Sequence, residues 1–348
     1  MSRAPLRVAV LGAGTVGREV VRSLIECGPD LVAADGAPFE LVGIAVRDLG
    51  KARAAGLPAG LLTDAPAHLV ADPDVDVIVE LMGGDEPAHT LIAAALAAGK
   101  SVVSANKHVI AHHGPDLEAT ARRTGATLRF EAAVGGGIPV LGPLATDLAA
   151  NRVISIRGIV NGTTNYILSA MADEGRDYGD VLAAAQAAGY AEADPSGDVE
   201  GHDAVNKLVI LARLAFGIWL DPADVVITAS ADGPGAGRPG ITGVSAADIA
   251  TAAAGGRTVK LVAEARRAAD GSIEASVLPT ALASDSALAR TAGVLNRIEV
   301  EAVPVGTVAF SGPGAGGAAT SSAVLGDLIA ISRELGSTWA GLPPAAAR

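Results

Sequence analysis

"LRVAVLGAGTVGREVVRSLIECG", residues 6 to 28, decides how the first half of the chain is read. A near-continuous apolar run, "LRVAVL", predicts a strand buried on both faces, as in a parallel sheet. It runs into Gly12-Ala-Gly14-Thr-Val-Gly17, and "GREVVRSLIECG" then predicts a helix that Gly28 ends. The spacing G-x-G-x-x-G between a strand and a helix has a physical reading. The first glycine allows a tight turn, the second lets the backbone approach a pyrophosphate, and the third lets helix and strand pack closely. Thr15 and Val16 open the helix, so their N–H groups and the positive dipole end would face the phosphates. The expectation is a dinucleotide site at Gly12, Gly14, Thr15, Val16 and Gly17.

Outward from that turn the pattern repeats. "FELVGIAV", "VDVIVELMGG", "SVVSAN" and "TLRFEAAVGGG" read as four further strands, with helices such as "EPAHTLIAAALAAG" between them. Alternation of this kind predicts right-handed crossovers and a doubly wound (Rossmann-like) α/β sheet. After about residue 150 strict alternation stops. "VISIRGIV" reads as a strand leading into the helix "NGTTNYILSAM", capped by Asn or Thr. "RTVKLVAEARRAADGSIEASVLPT" reads as two strands joined across Asp270-Gly271. "IEVEAVPVGTVAFSGPGAGG" reads as one strand-like run entering a final helix over 317–334, and 230–240 as a Gly/Pro-rich loop. The expected organisation is a dinucleotide-binding domain over 1–146, with 317–348 packing back on it. An α+β domain for substrate and dimerisation is expected over 147–316.

Bulk properties exclude several function classes. The 26 basic and 38 acidic residues give a net charge of −12, which argues against general nucleic-acid binding. The one cysteine, Cys27, rules out an intrachain disulfide framework and a cysteine metal cluster, and its place at the end of the first helix suits a small buried residue better than a nucleophile. The N-terminus enters a strand at once, without the features of a signal peptide, and no apolar run approaches a membrane span. A cytoplasmic protein without membrane or nucleic-acid partners is expected.

Other positions carry chemistry. At the end of the second strand a basic residue suits a ribose 2′-phosphate and an acidic one a 2′-hydroxyl. "AVRDLGKAR" puts Arg47 first, which favours NADP over NAD. Lys107 follows the fourth strand, where ligands of doubly wound sheets bind; it is read either as a ligand-holding lysine or as an exposed helix start. His108, His112 and His113 sit together in sequence, but no acidic or cysteine partner is near them in the sequence, and they read as solvated histidines. Gly135 to Gly137 read either as carbonyls turned toward a hard cation or as an interdomain hinge. In "DPSGDVEGHDAVNKLVILARLAFG" (194–217), Asp203 and Lys207 stand one helical turn apart, so both side chains occupy one face. The pair is either a surface salt bridge or directed at a substrate. A lysine held partly out of water can release a proton near neutral pH.

The segment "AEADPSGDVEGHDAVNKLVILAR" resembles the signature of the homoserine dehydrogenase family. "GAGTVG", "VVSANKHVIA", "FEAAVGGGIPVL", "GIVNGTTNYIL", "GVLNRIEV" and "GPGAGGAATSSAV" follow the family's order over nearly the whole chain. The resemblance implies reduction of L-aspartate 4-semialdehyde to L-homoserine with NADPH or NADH, a step towards threonine and methionine. It implies Lys207 as general acid, Glu192 and Asp203 on the substrate's amino end, and Lys107 at substrate and nicotinamide. It implies a sodium-like cation on oxygens of Glu131, Val134, Gly136 and Ile138, in preference to the hinge. Gly312 matches a segment that closes over the cofactor, and a homodimer through the second domain's sheet is implied. With the sequence ending at Arg348, a short form without the C-terminal regulatory domain, and so without threonine inhibition, is the expectation. The loop at 230–240 looks longer than the family pattern. Two other readings stand beside this one: a reductase of another amino-acid semialdehyde or keto acid, and a non-catalytic nucleotide-binding sensor.

Overall fold

The computed structural model describes residues 4–27, 36–230 and 233–345. The Gly28 stop, the side chain of Cys27 and residues 231–232 of the glycine-rich loop lie outside the described residues. The chain forms two compact units, Met1–Asp147 with Ala315–Arg348, and Leu148–Gly314.

In the first unit the chain runs β1 (Leu6–Leu11), α1 (Thr15–Cys27), β2 (Phe39–Ala45), α2 (Leu49–Ala54), β3 (Leu62–Thr63), α3 (Pro66–Ala71), β4 (Val77–Glu80), α4 (Ala88–Ala97), β5 (Ser101–Ser104), α5 (Lys107–Thr124), β6 (Leu128–Arg129) and α6 (Leu141–Ala145). The strands form one parallel sheet in the order β3-β2-β1-β4-β5-β6. The order reverses between β1 and β4, so the loops leaving these neighbours part in opposite directions and open a crevice at the strands' carboxyl ends. Val8, Val10, Val77, Val79 and Val103 are buried beneath Val20, Val21 and Leu24 of α1, together with Val324, Leu328 and Ile331 of the last helix. The apolar runs that predicted buried strands are these residues.

The fifth strand read from "TLRFEAAVGGG" is a two-residue strand, and Glu131–Ala133 form a single 3-10 turn. Distant side chains explain the early end. Phe130 N donates to Thr338 Oγ1 and Glu131 N to Asp327 Oδ2, so donors that a longer ladder would need are already taken.

The second unit runs β7 (Arg152–Ile159), α7 (Gly162–Glu174), α8 (Tyr178–Ala187), α9 (Ser196–Val199), α10 (His202–Phe216), α11 (Ala246–Ala254), β8 (Arg257–Arg267), β9 (Ile273–Ala283), β10 (Leu295–Val303) and β11 (Gly306–Pro313). Its sheet is antiparallel, ordered β11-β10-β7-β8-β9. β8 and β9 form the hairpin predicted across Asp270-Gly271, with Arg267 opposite Ile273. The strand-like run at 298–313 is two strands, because Pro304 cannot donate to a ladder and Gly306 turns back at φ +81°. α12 (Gly317–Ser332) then returns the chain to the first unit. Lys260, inside β8 and 2% exposed, donates to Asn165 Oδ1, Ser169 Oγ and Thr291 O, and burial pushes its ammonium down to about 8. Among the described residues no helix is long and apolar enough to cross a membrane.

Candidate active site

The glycine turn is built from three different constraints. Gly12 sits at φ +99°, and a Cβ there would meet Leu81 O at 2.7 Å. Gly17 faces back on the turn, where a Cβ would collide with Gly12 O. Gly14 is exposed with nothing within 4 Å of its Cβ position. Two glycines are therefore required by the fold, whereas the middle one leaves open backbone at the start of α1, where Thr15 is exposed and Val16 half-buried. No acidic residue stands in the first turn of α1, so nothing there repels an anion. Just past β2, Arg47 is exposed, while Asp48 caps α2 by accepting from Lys51 N at 2.8 Å. The acidic neighbour is thus committed to its own helix.

Sequence reasoning missed a buried carboxylate at the ends of β4 and β5. Glu80 is fully buried and closes the last position of an otherwise apolar strand. Its carboxylate accepts from Met82 N at 2.8 Å and Ser104 Oγ at 2.7 Å. Ser104 Oγ accepts in turn from Asn106 N, and Asn106 donates to Gly84 O and caps α5 at Val109. The loops after two neighbouring strands are thereby held as one piece, and Lys107 opens α5 half-buried beside them. A lone Glu ending a Val/Ile run was the available signal.

The histidines corrected another expectation. The loop after β4 brings Asp85 to them: His113 Nε2 lies 2.9 Å from Asp85 Oδ1, and His108 Nε2 3.8 Å. His113 stacks on His89 and His108 on His112. Among the described residues, no group of three His, Cys, Asp or Glu is placed to hold a metal ion.

Beyond β6, Glu131 caps α6. Its carboxylate accepts from Val140 N (2.7 Å), Leu141 N (2.8 Å) and Gly142 N (2.7 Å). Asp327 lies behind it, paired with Arg129 at 2.7 Å. Burial holds both carboxyls above the usual range, and for Glu131 the neighbouring Asp327 adds to it. Gly135 and Gly136 follow with φ of +74° and +59°, which turns successive peptide carbonyls in a way that other residues rarely allow.

The second unit holds the Asp203–Lys207 pair. All of α10 from Ala204 to Leu214 is buried, so the lysine has little water to reach. Its Nζ donates to Asp203 Oδ2 at 2.8 Å and to Val160 O at 2.6 Å, and both side chains are 10% exposed. This is not a solvated surface pair. Asn161 completes the group. One end of its carboxamide donates to Asp198 Oδ1 (2.7 Å) and Asp203 Oδ2 (2.9 Å), while Oδ1 caps α7 through Thr164 N (2.8 Å). Asp198 thus joins the group through Asn161. Glu192 is exposed in the loop before α9, its main-chain carbonyl held by Gln186 at 2.9 Å. Gly312 lies in β11, opposite Asn296 of β10.

A family model described as homoserine dehydrogenase matches residues 139–329, and one described as the NAD-binding domain of homoserine dehydrogenase matches 12–131. The chain belongs to the homoserine dehydrogenase family. It is accordingly a nicotinamide-nucleotide-dependent oxidoreductase acting on a CH–OH group. A homoserine dehydrogenase of Corynebacterium glutamicum is 45% identical over 97% of this chain and 76% of its own length. The crystal structure of a homoserine dehydrogenase from Thiobacillus denitrificans superimposes with a TM-score of 0.91 at 38% identity, covering 99% of this chain and 79% of that one. A hyperthermophilic archaeal homoserine dehydrogenase in complex with NADPH superimposes with a TM-score of 0.77 at 28% identity, covering 95% of this chain and 98% of that one. Membership in the family disfavours a reductase of another semialdehyde or keto acid, and equally a non-catalytic sensor.

Proposed function

We propose that this chain reduces L-aspartate 4-semialdehyde to L-homoserine with NADPH, and that Lys207 supplies the proton. The observation that carries the reading is the lysine's setting: a nearly buried ammonium fixed by Asp203 and the Val160 carbonyl. Those two bonds use two of its three N–H groups and leave the third for a reacting oxygen. A nicotinamide nucleotide, when bound, supplies hydride to the aldehyde carbon. The carbonyl electron pair then moves onto oxygen, and the Lys207 ammonium stabilises that charge and gives its proton to it. Asp203 holds the ammonium in place and, with Glu192, offers carboxylate oxygens to the substrate's own ammonium. Lys107, at the start of α5, is assigned to the substrate and nicotinamide. The test is oxidation of NADPH followed with L-aspartate semialdehyde against a panel of other semialdehydes and 2-keto acids; turnover with the panel but not with the named substrate overturns the reading.

The exposed backbone at Gly14 and the unopposed start of α1 fit a pyrophosphate, with Gly12, Gly14, Thr15, Val16, Gly17 and Gly312 as the cofactor contacts. NADPH is favoured over NADH because Arg47 is exposed while Asp48 is taken up as a cap, and the archaeal relative's NADPH complex supports it. Arg47→Ser is expected to lower kcat/KM for NADPH by about 10- to 100-fold, the size of a lost charged hydrogen bond, with NADH changed less than about threefold. Equal losses with both cofactors would remove Arg47 from the 2′-phosphate.

A monovalent cation fits Glu131, Val134, Gly136 and Ile138, since the buried Glu131 carboxyl has a second carboxyl, Asp327, for a charged neighbour and carbonyl and carboxylate oxygens suit a hard ion. The sign of its pH dependence follows from the raised carboxyls. Each is protonated more readily folded than unfolded, so stability falls as pH rises above the ordinary carboxylate range. A cation competes with those protons and acts where they have left. Sodium chloride is therefore expected to raise Tm over equimolar choline chloride at pH 8 and to do so less at pH 5, and Glu131→Gln should abolish the difference. We also assign a homodimer through the five-stranded sheet, small-molecule partners only, and a cytoplasmic setting.

A further inference from the structure

Asn296, at the start of β10, has no part in the chemistry above, yet it is 1% exposed and lies against the same oxygen as the proton donor. Its Nδ2 donates to Val160 O at 3.0 Å, the oxygen that accepts Lys207 Nζ at 2.6 Å. A peptide oxygen has two lone pairs, so the carboxamide occupies one and fixes the plane from which the other meets the ammonium. Val160 needs such a hold, because it lies just beyond Ile159, where β7 ends. The far end of the carboxamide, Oδ1, is buried without a partner. Buried acceptors of that kind are few in native structures and call for an explanation.

Gly314 supplies it. A Cβ at Gly314 would fall on the Asn296 carboxamide, 2.5 Å from Oδ1 and closer to its other atoms. The amide thus packs directly against the backbone of the glycine-rich segment after β11, which covers Oδ1. Asn296 itself is held firmly from both sides. Ser311 Oγ bonds its carbonyl at 3.2 Å, and the entering segment is tied down by Asn165, which donates to Thr291 O, Gly293 O and Leu295 O.

We propose that Asn296 is a positioning residue of the reaction: it orients the Val160 carbonyl that grips Lys207 and sets Gly314 in register with that lysine. The orphaned Oδ1 is the consequence of serving both contacts at once. The proposal rests on Lys207 as proton donor, and its test distinguishes the two ideas. The other charged groups around Lys207, Asp203 on its own helix and Asp198 reached through Asn161, are untouched in every variant used.

The experiment is a mutant cycle on the intact protein with Asn296→Ala, Gly314→Ala and the double variant, reading kcat, KM for the semialdehyde, NADPH dissociation and Tm. Asn296→Ala is expected to lower kcat by about 10- to 100-fold, as expected for groups that orient a reacting side chain, with KM and NADPH affinity within about threefold. Gly314→Ala is expected to be at least as damaging alone and to add nothing in the Asn296→Ala background, since the collision partner is gone. Independent effects that multiply, or a lower Tm with kcat unchanged, overturn the proposal. Should Asn296→Ala not fold, Asn296→Asp, which keeps the size and loses the donor, takes its place. Lys207→Met measured alongside separates the outcomes: if it keeps kcat, the proton-donor reading fails; if it loses kcat while the cycle is additive, only the role of Asn296 fails.

Discussion

Lys207→Met loses at least about 100-fold in kcat for reduction of the semialdehyde, the size of a removed general acid, while NADPH binding stays within about threefold. The change removes an ammonium from a nearly buried pair, so stability falls too. Breaking a buried pair from one side leaves the other charge uncompensated, at about 3–5 kcal/mol when burial is complete. Here Asp203 keeps the bond from Asn161 at 2.9 Å, and the stability loss should lie at or below the lower end of that range. Asp203→Asn provides the contrast, because it removes the charge partner but leaves the ammonium and its Val160 acceptor. Both variants lower Tm if the pair is only structural, and then both keep kcat. If Lys207 is the acid, Lys207→Met lowers kcat and kcat/KM together, the mark of an interaction made in the transition state, whereas Asp203→Asn raises KM as well. Unchanged kcat in Lys207→Met at a temperature where it is folded removes the lysine from the chemistry.

What the sequence made legible and what it hid divide by distance along the chain. The glycine turn was readable because its constraints are local: Gly12 and Gly17 meet within five residues, and the flanking strand and helix announce themselves by their patterns. Asp203 and Lys207 were readable as a pair for the same reason, one turn of one helix. Their surroundings were not. Val160 is 47 residues from Lys207 and Asn161 is 37 from Asp198, and no periodicity brings such partners together. The over-long fifth strand read from the sequence failed in the same way, since side chains of Asp327 and Thr338, about 200 residues on, take its backbone donors. Asp85 reaches His113 across 28 residues, so the histidines looked more solitary in sequence than they are. Glu80 was within reach, because an acid inside a Val/Ile strand has to be satisfied by something.

The glycine turn separates folding from cofactor binding, and two single substitutions should show it. At Gly17 a Cβ collides with Gly12 O, an atom of the backbone that cannot swing away like a side chain. Accommodation requires α1 to move off β1, where Val20, Val21 and Leu24 are buried against Val8 and Val10. Overpacking of this kind costs about 1–3 kcal/mol and sometimes more, so Gly17→Ala should lower Tm by several degrees and weaken NADPH by about 100-fold or more as the helix start shifts. At Gly14 the Cβ meets nothing within 4 Å, and the residue needs no left-handed conformation. Gly14→Ala should therefore keep its Tm or gain slightly through a less flexible unfolded chain. Its methyl would stand where a pyrophosphate has to approach the backbone, so NADPH affinity should still fall by about tenfold or more, one lost phosphate hydrogen bond. Titration of NADPH fluorescence beside thermal melts reads both quantities on the same samples. Gly14→Ala with unchanged NADPH affinity would place the phosphates elsewhere, and Gly17→Ala with unchanged Tm would mean that α1 yields at no cost.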